Sequence, residues 1–446
     1  MKKILFSCLA LMFANSAFSQ FWSNQFTGFD SPSRGILSIH AKDANNVWAV
    51  AFDGVNGDDI QEFTKTSNGG QTWTAGYIEL GDSSLGIQNI IGINENTAWV
   101  MASREADGSG GVFKTIDGGE SWEFQMGGTT PNESWNNWVH FFDANNGVFM
   151  SDPVGGYFEL YTTSDGGANW TRVPSANIPA PLSSEYGYTS GYTYVGDTVF
   201  FYTNKGRILK SVNKGLNWTV ALPTGYVTDF GTTTNNGLMS FSDANKGIVF
   251  KKTATSTGAP TALSIYRTTN GGTNWETVSF SGIDFSSNIT AISYVPGTST
   301  IIAAAVTQAA PGSYISTDNG STWTKLDAVQ HTSVKCIADL CYSGGYSNAG
   351  TGSGMFKSTQ SLAVNETSIN GKSVKVYPNP VADYFKVDTS GFEVAKLKIS
   401  VVDASGKLIK SFNSQDSYDV NGLAKGVYVI TITDGKKSET TKIIKK

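Results

Sequence analysis

Short runs of apolar and aromatic residues alternate along most of the chain with clusters of Gly, Asn, Asp, Ser and Thr. Residues 66–72 form one such cluster, and Trp73 begins the run that follows it. Gly adopts positive φ without steric cost, and Asp and Asn bond nearby backbone N–H groups, so these clusters favour tight turns. Aromatic residues favour strands. The pattern therefore predicts an all-β protein built of short strands.

One eight-residue pattern, Ser/Thr-x-Asp/Asn-x-Gly-x-Ser/Thr/Asn-Trp, recurs six times. The spacings between its tryptophans are 49, 48, 48, 57 and 48 residues. Three copies have Asn where the others have Asp, which indicates hydrogen bonding and not charge and argues against a metal ligand. The turn residue and the strand Trp of the six copies are Asn68 and Trp73, Asp117 and Trp122, Asp165 and Trp170, Asn213 and Trp218, Asn270 and Trp275, and Asp318 and Trp323.

A second turn pattern precedes these copies. The turn at residues 43–46 leads into Trp48, and related turns occur at residues 94–97, 143–147 and 243–247. Each repeat then contains two hairpins, or four strands in about 49 residues, which is the size of a propeller blade.

Three more strand-like segments follow the last copy without a turn pattern of this kind, at residues 333–337, 341–342 and 354–358. The fourth strand of this blade is predicted at Phe21–Phe26. Trp22 lies 51 residues before Trp73, which is one repeat. The sequence thus predicts seven blades, with the N-terminal strand closing the ring and removing the free sheet edges.

The repeated pattern resembles the Asp-box, or BNR, repeat. Together with the second turn, it resembles the seven-bladed propellers of the photosystem II assembly-factor type, and sialidases and xyloglucan-cleaving glycosidases share the box. The resemblance implies a β-propeller whose boxes lie on the rim, away from the ligand face.

The last 74 residues differ from the rest. Residues 373–446 contain 12 Lys/Arg and 8 Asp/Glu, whereas the chain between Lys3 and residue 373 carries a net charge of −11. About seven short alternating segments predict a small Ig-like β-sandwich. Tyr377-Pro378-Asn379-Pro380, the turn at 403–406, Gly426-Val427-Tyr428 and the basic end resemble the type A C-terminal sorting domain of the Bacteroidetes type IX secretion system. The resemblance implies a translocon and a sortase as partners. An ordinary adhesive module is the alternative.

The N-terminus is typical of a secretory signal. Lys2 and Lys3 precede about ten apolar residues, too few to span a bilayer, and small residues follow. Cleavage is predicted between Ser19 and Gln20. The predicted organisation is a signal peptide (1–19), a propeller (20–360), a linker (361–372) and a sorting domain (373–446), and the protein is expected to be secreted or attached to the outer surface. No later segment predicts a transmembrane helix.

Composition excludes some functions. Charged residues make up 15% of the chain and the net charge is −5, so no general attraction to nucleic acid is expected. The sequence suggests no cofactor and no metal site. Cys336 and Cys341 remain after the signal peptide, and they form either a hairpin disulfide or two buried thiols.

Ligand-binding residues are expected opposite the boxes, on loops that join the second and third strands of a blade or successive blades. Exposed aromatic rings with polar edges suit sugar or protein contacts. The alternative for the tyrosines is that they cover an inner strand. The predicted ligand-binding residues are Trp135, Trp138, Tyr186, Tyr188 and Arg104.

Catalysis finds less support. The five arginines lack a sialidase pattern, and His40, His140 and His331 are interpreted as hydrogen-bonded strand residues, one per blade. A glycoside hydrolase would need a carboxylate pair, for which Asp152 with Glu105 or Asp59 is the candidate. The sequence therefore favours a non-enzymatic module that binds a glycan or protein ligand, and a glycoside hydrolase is the alternative.

Overall fold

Seven antiparallel four-stranded sheets form the first of two units in the computed structural model. The units are divided between residues 363 and 364. The predicted domain boundaries at residues 360 and 373 stay predictions. The structure describes residues 20–125, 134–306, 310–347, 354–362, 376–389, 391–403, 408–435 and 438–446.

The sheets follow one another along the chain as blades, and each begins with its innermost strand. Blade 1 comprises Arg34–Ala41, Val47–Asp53, Asp59–Thr66 and Thr74–Tyr77. Blade 2 comprises Leu85–Gly92, Ala98–Arg104, Gly110–Thr115 and Glu123–Phe124. Blade 3 comprises Asn136–Phe141, Gly147–Val154, Tyr157–Thr163 and Thr171–Arg172. Blade 4 comprises Gly187–Val195, Thr198–Thr203, Ile208–Ser211 and Thr219–Leu222.

Blade 5 comprises Asn235–Phe241, Gly247–Ala254, Pro260–Thr268 and Glu276–Thr277. Blade 6 comprises Ile289–Tyr294, Ile301–Ala305, Gly312–Ser316 and Thr324–Lys325. Blade 7 comprises Ser333–Ile337, Leu340–Gly344, Gly354–Ser358 and Trp22–Phe26. Short 3₁₀ helices occupy Ser175–Asn177, Phe285–Ser287 and Val394–Lys396.

The N-terminal strand is the outer strand of blade 7. Trp22 pairs with Ser358 and Phe26 with Gly354 in an antiparallel register. The inner strands of neighbouring blades contact one another around the whole ring, including those of blades 7 and 1. The predicted all-β, seven-bladed propeller and its closure by the N-terminal strand are confirmed.

The two ends of each blade differ. The turns that join strands one and two, and the box turns that join strands three and four, share one face, which we call the turn face. The loops that join strands two and three, and those that join successive blades, share the opposite face, which we call the loop face.

The box tryptophans pack at the junctions between blades. Trp218 of blade 4 lies against Trp138 of blade 3, and Trp122 of blade 2 lies against Phe63 of blade 1. Four of the six are buried, but Trp122 and Trp170 are only partly buried. The expectation that every box Trp is fully packed was therefore too strong. The length of the outer strand does not account for this difference, because blades 5 and 6, whose box tryptophans are buried, also end in outer strands of two residues.

The second unit contains two antiparallel sheets. One comprises Val376–Tyr377, Tyr384–Val387 and Tyr418–Asp419, and the other comprises Leu408–Asn413, Lys398–Val402, Gly426–Thr433 and Ser438–Lys445. Phe385 and Tyr418 of the first sheet share a buried cluster with Ile430 of the second. The Ig-like arrangement stays a prediction, and residues 404–406 of the predicted turn lie outside the described residues.

Candidate functional site

A cavity of about 380 Å³ opens on the loop face between blades 3 and 4. We call it the aromatic pocket. Its wall comes from the residues just before the inner strand of blade 3, the end of the second strand of that blade, and the start of the inner strand of blade 4. The lining residues are Trp135, Asn137, Asp152, Tyr186, Gly187, Tyr188 and Thr189.

Asp152 provides the carboxylate of the aromatic pocket. Its Oδ1 accepts hydrogen bonds from Asn137 Nδ2 at 2.7 Å and from the backbone N–H of Gly187 at 3.0 Å. Burial raises the pKa of Asp152 to about 6, and these two hydrogen bonds oppose that rise. Both hydrogen bonds are accepted by Oδ1, and no described residue donates to Oδ2. Oδ2 is therefore available to a ligand that donates a hydrogen bond.

Gly187 allows blades 3 and 4 to approach closely at this point. A Cβ at this position would lie 2.6 Å from Met150 Cε and 3.2 Å from Asn137 Nδ2. Contacts this short force neighbouring atoms to move, so a larger residue would displace the side chain of Met150 and crowd the Asn137 amide that binds Asp152.

Tyr186 follows Glu185, whose hydrogen bonds hold this segment in place. The buried Glu185 accepts hydrogen bonds from Arg207, from Thr203 Oγ1 at 2.6 Å and from the N–H of Leu182 at 2.7 Å. Burial alone would raise the pKa of Glu185, but these bonds outweigh it and hold the pKa below its usual value. The Tyr186 side chain is 41% exposed, so its ring can meet a ligand.

Tyr188 is held in a fixed orientation. Its hydroxyl donates to Asp229 Oδ1 at 2.6 Å, and its ring meets the Tyr186 ring edge to face at 5.5 Å. Burial and the Asp229 carboxylate together raise the pKa of Tyr188. The hydroxyl is thus already engaged, so the ring face of Tyr188 is what remains for a ligand.

Trp135 lies against the backbone of Gly108 in the neighbouring loop of blade 2. Gly108 has φ of +69°, and a Cβ there would lie 2.5 Å from Trp135 Cδ2. The indole is only partly buried. The structure thus brings together three of the five predicted ligand-binding residues, Trp135, Tyr186 and Tyr188.

The prediction for Trp138 is wrong. Its side chain is fully buried and packs on Tyr192, Phe201 and Trp218. The strand register shifts between Asn136 and Trp138, so simple alternation from Trp135 does not give the direction of this side chain. Trp138 is therefore a core residue and does not line the aromatic pocket.

Arg104 lies on the loop face but does not line the aromatic pocket. Its guanidinium pairs with Asp82 and Asp107 and donates to Ser84 Oγ at 2.9 Å. The hydrogen bond to Asp82 raises the pKa of Arg104 further. These partners give Arg104 a local role in holding two loops of blade 2.

The candidate carboxylates fall into two groups. Burial and the Glu105 and Asp58 charges raise the pKa of Asp59, so Asp59 and Glu105 are close enough to interact. Neither contributes to the pKa of Asp152, whose causes are burial, Asn137 and Gly187. The structure therefore does not bring Asp152 together with Glu105 or Asp59 as the predicted pair.

The histidine interpretation holds for one residue of three. His331 Nδ1 lies 2.8 Å from Ser343 Oγ and its Nε2 lies 3.0 Å from Asp327 Oδ2. The Nδ1 atoms of His40 and His140 are buried without a hydrogen-bond partner among the described residues. For Nδ1 of these two residues the expectation of hydrogen bonding was wrong; both rings line the central cavity, and His40 interacts in addition with the backbone of Gly92 in the inner strand of blade 2.

The box turns show the predicted hydrogen bonds. Asp165 Oδ1 accepts from the N–H of Asn169 at 2.9 Å and from Thr163 Oγ1 at 2.8 Å. Asn213 Oδ1 accepts equivalent bonds from Asn217 N–H and Ser211 Oγ, both at 3.0 Å. Asp and Asn thus do the same work in this turn.

Cys336 and Cys341 lie opposite each other in the first hairpin of blade 7. The structure joins them by a disulfide. The hairpin is the one that follows the last box-bearing blade, so the disulfide fixes the start of the closing blade.

The predicted signal peptide and Ser19 lie outside the described residues, and Gln20 is the first described residue. Within the described ranges, the structure contains no helix that is long and apolar enough to cross a membrane.

Residues 375–446 match the family model of the secretion system C-terminal sorting domain. The sorting tail indicates engagement with the type IX secretion system, and the protein is therefore secreted or attached to the outer surface. Among curated proteins, no sequence matches this chain.

Solved structures with similar folds include three propeller proteins. YCF48 from Cyanidioschyzon merolae is 16% identical with a TM-score of 0.49, over 76% of this chain and 98% of that one. YCF48 bound to D1 peptide is 14% identical with a TM-score of 0.46, over 76% and 96%. The Niastella koreensis GH74 enzyme is 14% identical with a TM-score of 0.46, over 91% and 78%.

Proposed function

We propose that this exported propeller is a glycan-binding module that takes a sugar ring into the aromatic pocket. The observation that carries the proposal is the combination of Trp135, Tyr186 and Tyr188 with the Asp152 carboxylate and the Asn137 amide in one cavity. A sugar ring has an apolar C–H face and a rim of hydroxyl groups. Aromatic rings can pack against the C–H face, and a carboxylate or amide oxygen can accept hydrogen bonds from the hydroxyl groups.

The size of the aromatic pocket supports this class of ligand. A volume of about 380 Å³ falls in the range of small-molecule sites, which are mostly apolar with a few placed polar groups. The bonds from Asn137 and Gly187 fix the Asp152 carboxylate before a ligand arrives. A ligand therefore meets a site that needs little ordering.

A glycoside hydrolase is the second candidate, and the pKa of Asp152, at about 6, is the observation that favours it. A general acid works best when its pKa lies near the ambient pH. The usual mechanism needs a second carboxylate within about 5–10 Å. Asp152 is the single carboxylate among the described residues that line the pocket, so binding without hydrolysis is the better-supported function.

The test is a glycan array probed with the chain from residue 20 onward, followed by calorimetric titration of the best glycan. Trp135→Ala and Tyr186→Ala should each weaken binding about tenfold or more, as for anchor residues of an interface. Tyr77→Ala is the matched control, because Tyr77 is an exposed tyrosine on the outer strand of blade 1. The affinity of the Tyr77→Ala variant for the glycan should equal that of the native protein.

Two results would contradict the proposal. Binding that survives both pocket variants would place the ligand elsewhere, and an array without a binder would remove the glycan altogether. Release of new reducing ends from the bound glycan, lost in Asp152→Asn, would favour the hydrolase.

A further inference from the structure

Four inner strands bring one side chain each to the centre of the propeller. His40, His140, Tyr194 and Lys335 come from blades 1, 3, 4 and 7. The Tyr194 ring centroid lies 4.1 Å from that of His140, 5.6 Å from that of His40 and 3.6 Å from Lys335 Nζ. We call these four residues the channel cluster.

The channel cluster lies between two cavities. One of about 430 Å³ opens toward the turn face, and the other, of about 260 Å³, lies toward the loop face. Tyr194 and Lys335 line both, whereas His40 and His140 line the larger one. The larger cavity is distinct from the aromatic pocket, with which it shares no lining residue.

Three polar atoms of the channel cluster have no hydrogen-bond partner among the described residues. They are Nδ1 of His40, Nδ1 of His140 and the hydroxyl of Tyr194. The two histidines are only 3% and 2% exposed. Buried polar groups are paired in the great majority of cases, and an unpaired one destabilises the fold. Three such atoms around one cavity indicate a polar ligand.

The charge in the channel cluster is positive and uncompensated. Within the described residues, no carboxylate lies within ion-pair distance of Lys335, and its described close contact is the Tyr194 ring. Burial lowers the pKa of Lys335 to about 8, which leaves most of the side chain charged at neutral pH. Burial, with Lys335 and Lys42 nearby, lowers the pKa of His40 to about 3, so that ring is neutral.

Carboxylates do line the outer part of the larger cavity, but each has partners of its own. Asp43 accepts from the N–H groups of Asn45 and Asn46, Asp197 pairs with Lys214, and Asp339 accepts from Ser361. Lys335 thus lies at the inner end of a cavity without a counter-ion of the protein's own.

We propose that the turn-face half of the channel binds a small hydroxylated carboxylate. Its carboxylate would contact Lys335 Nζ and the Tyr194 hydroxyl, and its hydroxyl groups would pair with Nδ1 of His40 and of His140. A hydroxyl both donates and accepts, so it suits a neutral imidazole in either tautomer. A cavity of about 430 Å³ is large enough for a sugar acid.

The probe is D-glucuronate, with D-glucose as the matched neutral compound, titrated calorimetrically into the chain from residue 20 onward. D-glucuronate should bind and D-glucose should not. Lys335→Met should weaken D-glucuronate binding by about tenfold or more, because it removes a charged hydrogen-bond donor. Tyr194→Phe keeps the ring and removes the hydroxyl, and it should weaken binding by a smaller factor.

Lys252→Met is the matched control. Lys252 is a second partly buried lysine whose pKa burial lowers to about 8, but it belongs to blade 5 and donates to the carbonyl of Ile289. Its loss should leave D-glucuronate binding unchanged. Raising the pH above about 8, where Lys335 loses its proton, should weaken binding by the native protein.

The melting temperature shows whether each variant is folded. Lys335→Met should melt no lower than the native protein, because it removes a buried charge without a partner. Three results would overturn the proposal: equal binding of D-glucose, unchanged affinity in folded Lys335→Met, or no binding of D-glucuronate to the native protein. The last would mean that water alone fills the cavity. Trp135→Ala should not affect this titration, so its outcome is separate from that of the aromatic pocket.

Discussion

The indole N–H of Trp22 donates a 2.7 Å hydrogen bond to Oγ of Ser313, which lies 291 positions later in the chain. Trp22 is in the closing strand of blade 7, and Ser313 is in the third strand of blade 6. The N-terminal strand is thus bound both to its own sheet and to the neighbouring one.

Trp22 should make a large contribution to stability. Because the side chain is 3% exposed, Trp22→Ala should lower the free energy of unfolding by about 3–5 kcal/mol. Trp22→Phe keeps most of the packing and should lose about 1 kcal/mol with the hydrogen bond. Urea denaturation measures both. Deletion of residues 20–27 should expose a sheet edge and promote aggregation, and an unchanged melting temperature of that deletion would count against closure.

Trp135 and Trp138 should respond in opposite ways to substitution. Trp138→Ala removes a fully buried ring and should lower the free energy of unfolding by about 3–5 kcal/mol. Trp135 is partly exposed in the aromatic pocket, so Trp135→Ala should cost less than about 1 kcal/mol. Denaturation midpoints of the two variants give the comparison. Equal losses would show that Trp135 belongs to the core.

The box turns should depend on hydrogen bonding and not on charge. Asp165→Asn should change the free energy of unfolding by less than about 0.5 kcal/mol, whereas Asp165→Ala should lower it by about 1 kcal/mol. The bonds from Asn169 and Thr163 lower the pKa of Asp165 to about 2. The native turn should therefore be stabilised above the usual carboxyl range and weakened as the pH falls toward 2. Asp165→Asn should lack this pH dependence, and a persistent one would place its origin elsewhere.

Asp152 should link ligand binding and stability to pH. Its pKa of about 6 in the folded protein lies above the usual value, so ionisation disfavours the fold. Stability should fall as the pH rises from about 4 through about 6. Glycan affinity should rise over the same range, because the carboxylate accepts hydroxyl hydrogen bonds better than the acid does. Titrations across this range, repeated with Asp152→Asn, measure both effects. An Asp152→Asn variant with the native pH profile would contradict the assignment.

The sorting tail should decide where the protein goes. Without residues 373–446 the propeller should accumulate in the periplasm of a host that has the type IX system. Fusion of the same residues to an unrelated periplasmic protein should carry part of it to the surface. Cell fractionation and surface proteolysis measure both. If the truncated protein reached the surface or medium in normal amounts, the tail would be a binding module and not a sorting signal.

The sequence was sufficient for the blades because the turn chemistry repeats. Each box turn needs an acceptor such as Asp165 and a glycine after it, and each is followed by a Trp that packs at a blade junction. These requirements are local to each turn and recur about every 49 residues. The sequence alone therefore shows where each blade lies. The closing strand could also be predicted, because Trp22 lies one repeat before Trp73.

The sites were harder to predict because they depend on contacts between blades. Only two residues lie between Trp135 and Trp138, yet a register shift between Asn136 and Trp138 places one in the aromatic pocket and the other in the core. Asn137 was missed because nothing in its own segment indicates that Asp152 is its partner.

The channel cluster did have a signal in the sequence. His40, His140 and Tyr194 each lie three residues before an aspartate of the first hairpin turn, at Asp43, Asp143 and Asp197. Equal distance from equivalent turns places the three side chains at one level of the ring. Lys335 has no such aspartate at that spacing and could be located only in the structure.

The pairing of Trp22 with Ser358 sets an order of events during export. Synthesis proceeds from the N-terminus, so the first strand of the propeller waits unpaired until its partner, the last strand, has been made. The sorting segment, which begins at residue 375, comes after that partner strand in the chain. A secretion machine that engages this segment therefore meets a chain in which every strand of the ring is already present. Because the sorting segment comes after the propeller in the chain, recognition for transport follows the synthesis of all propeller strands.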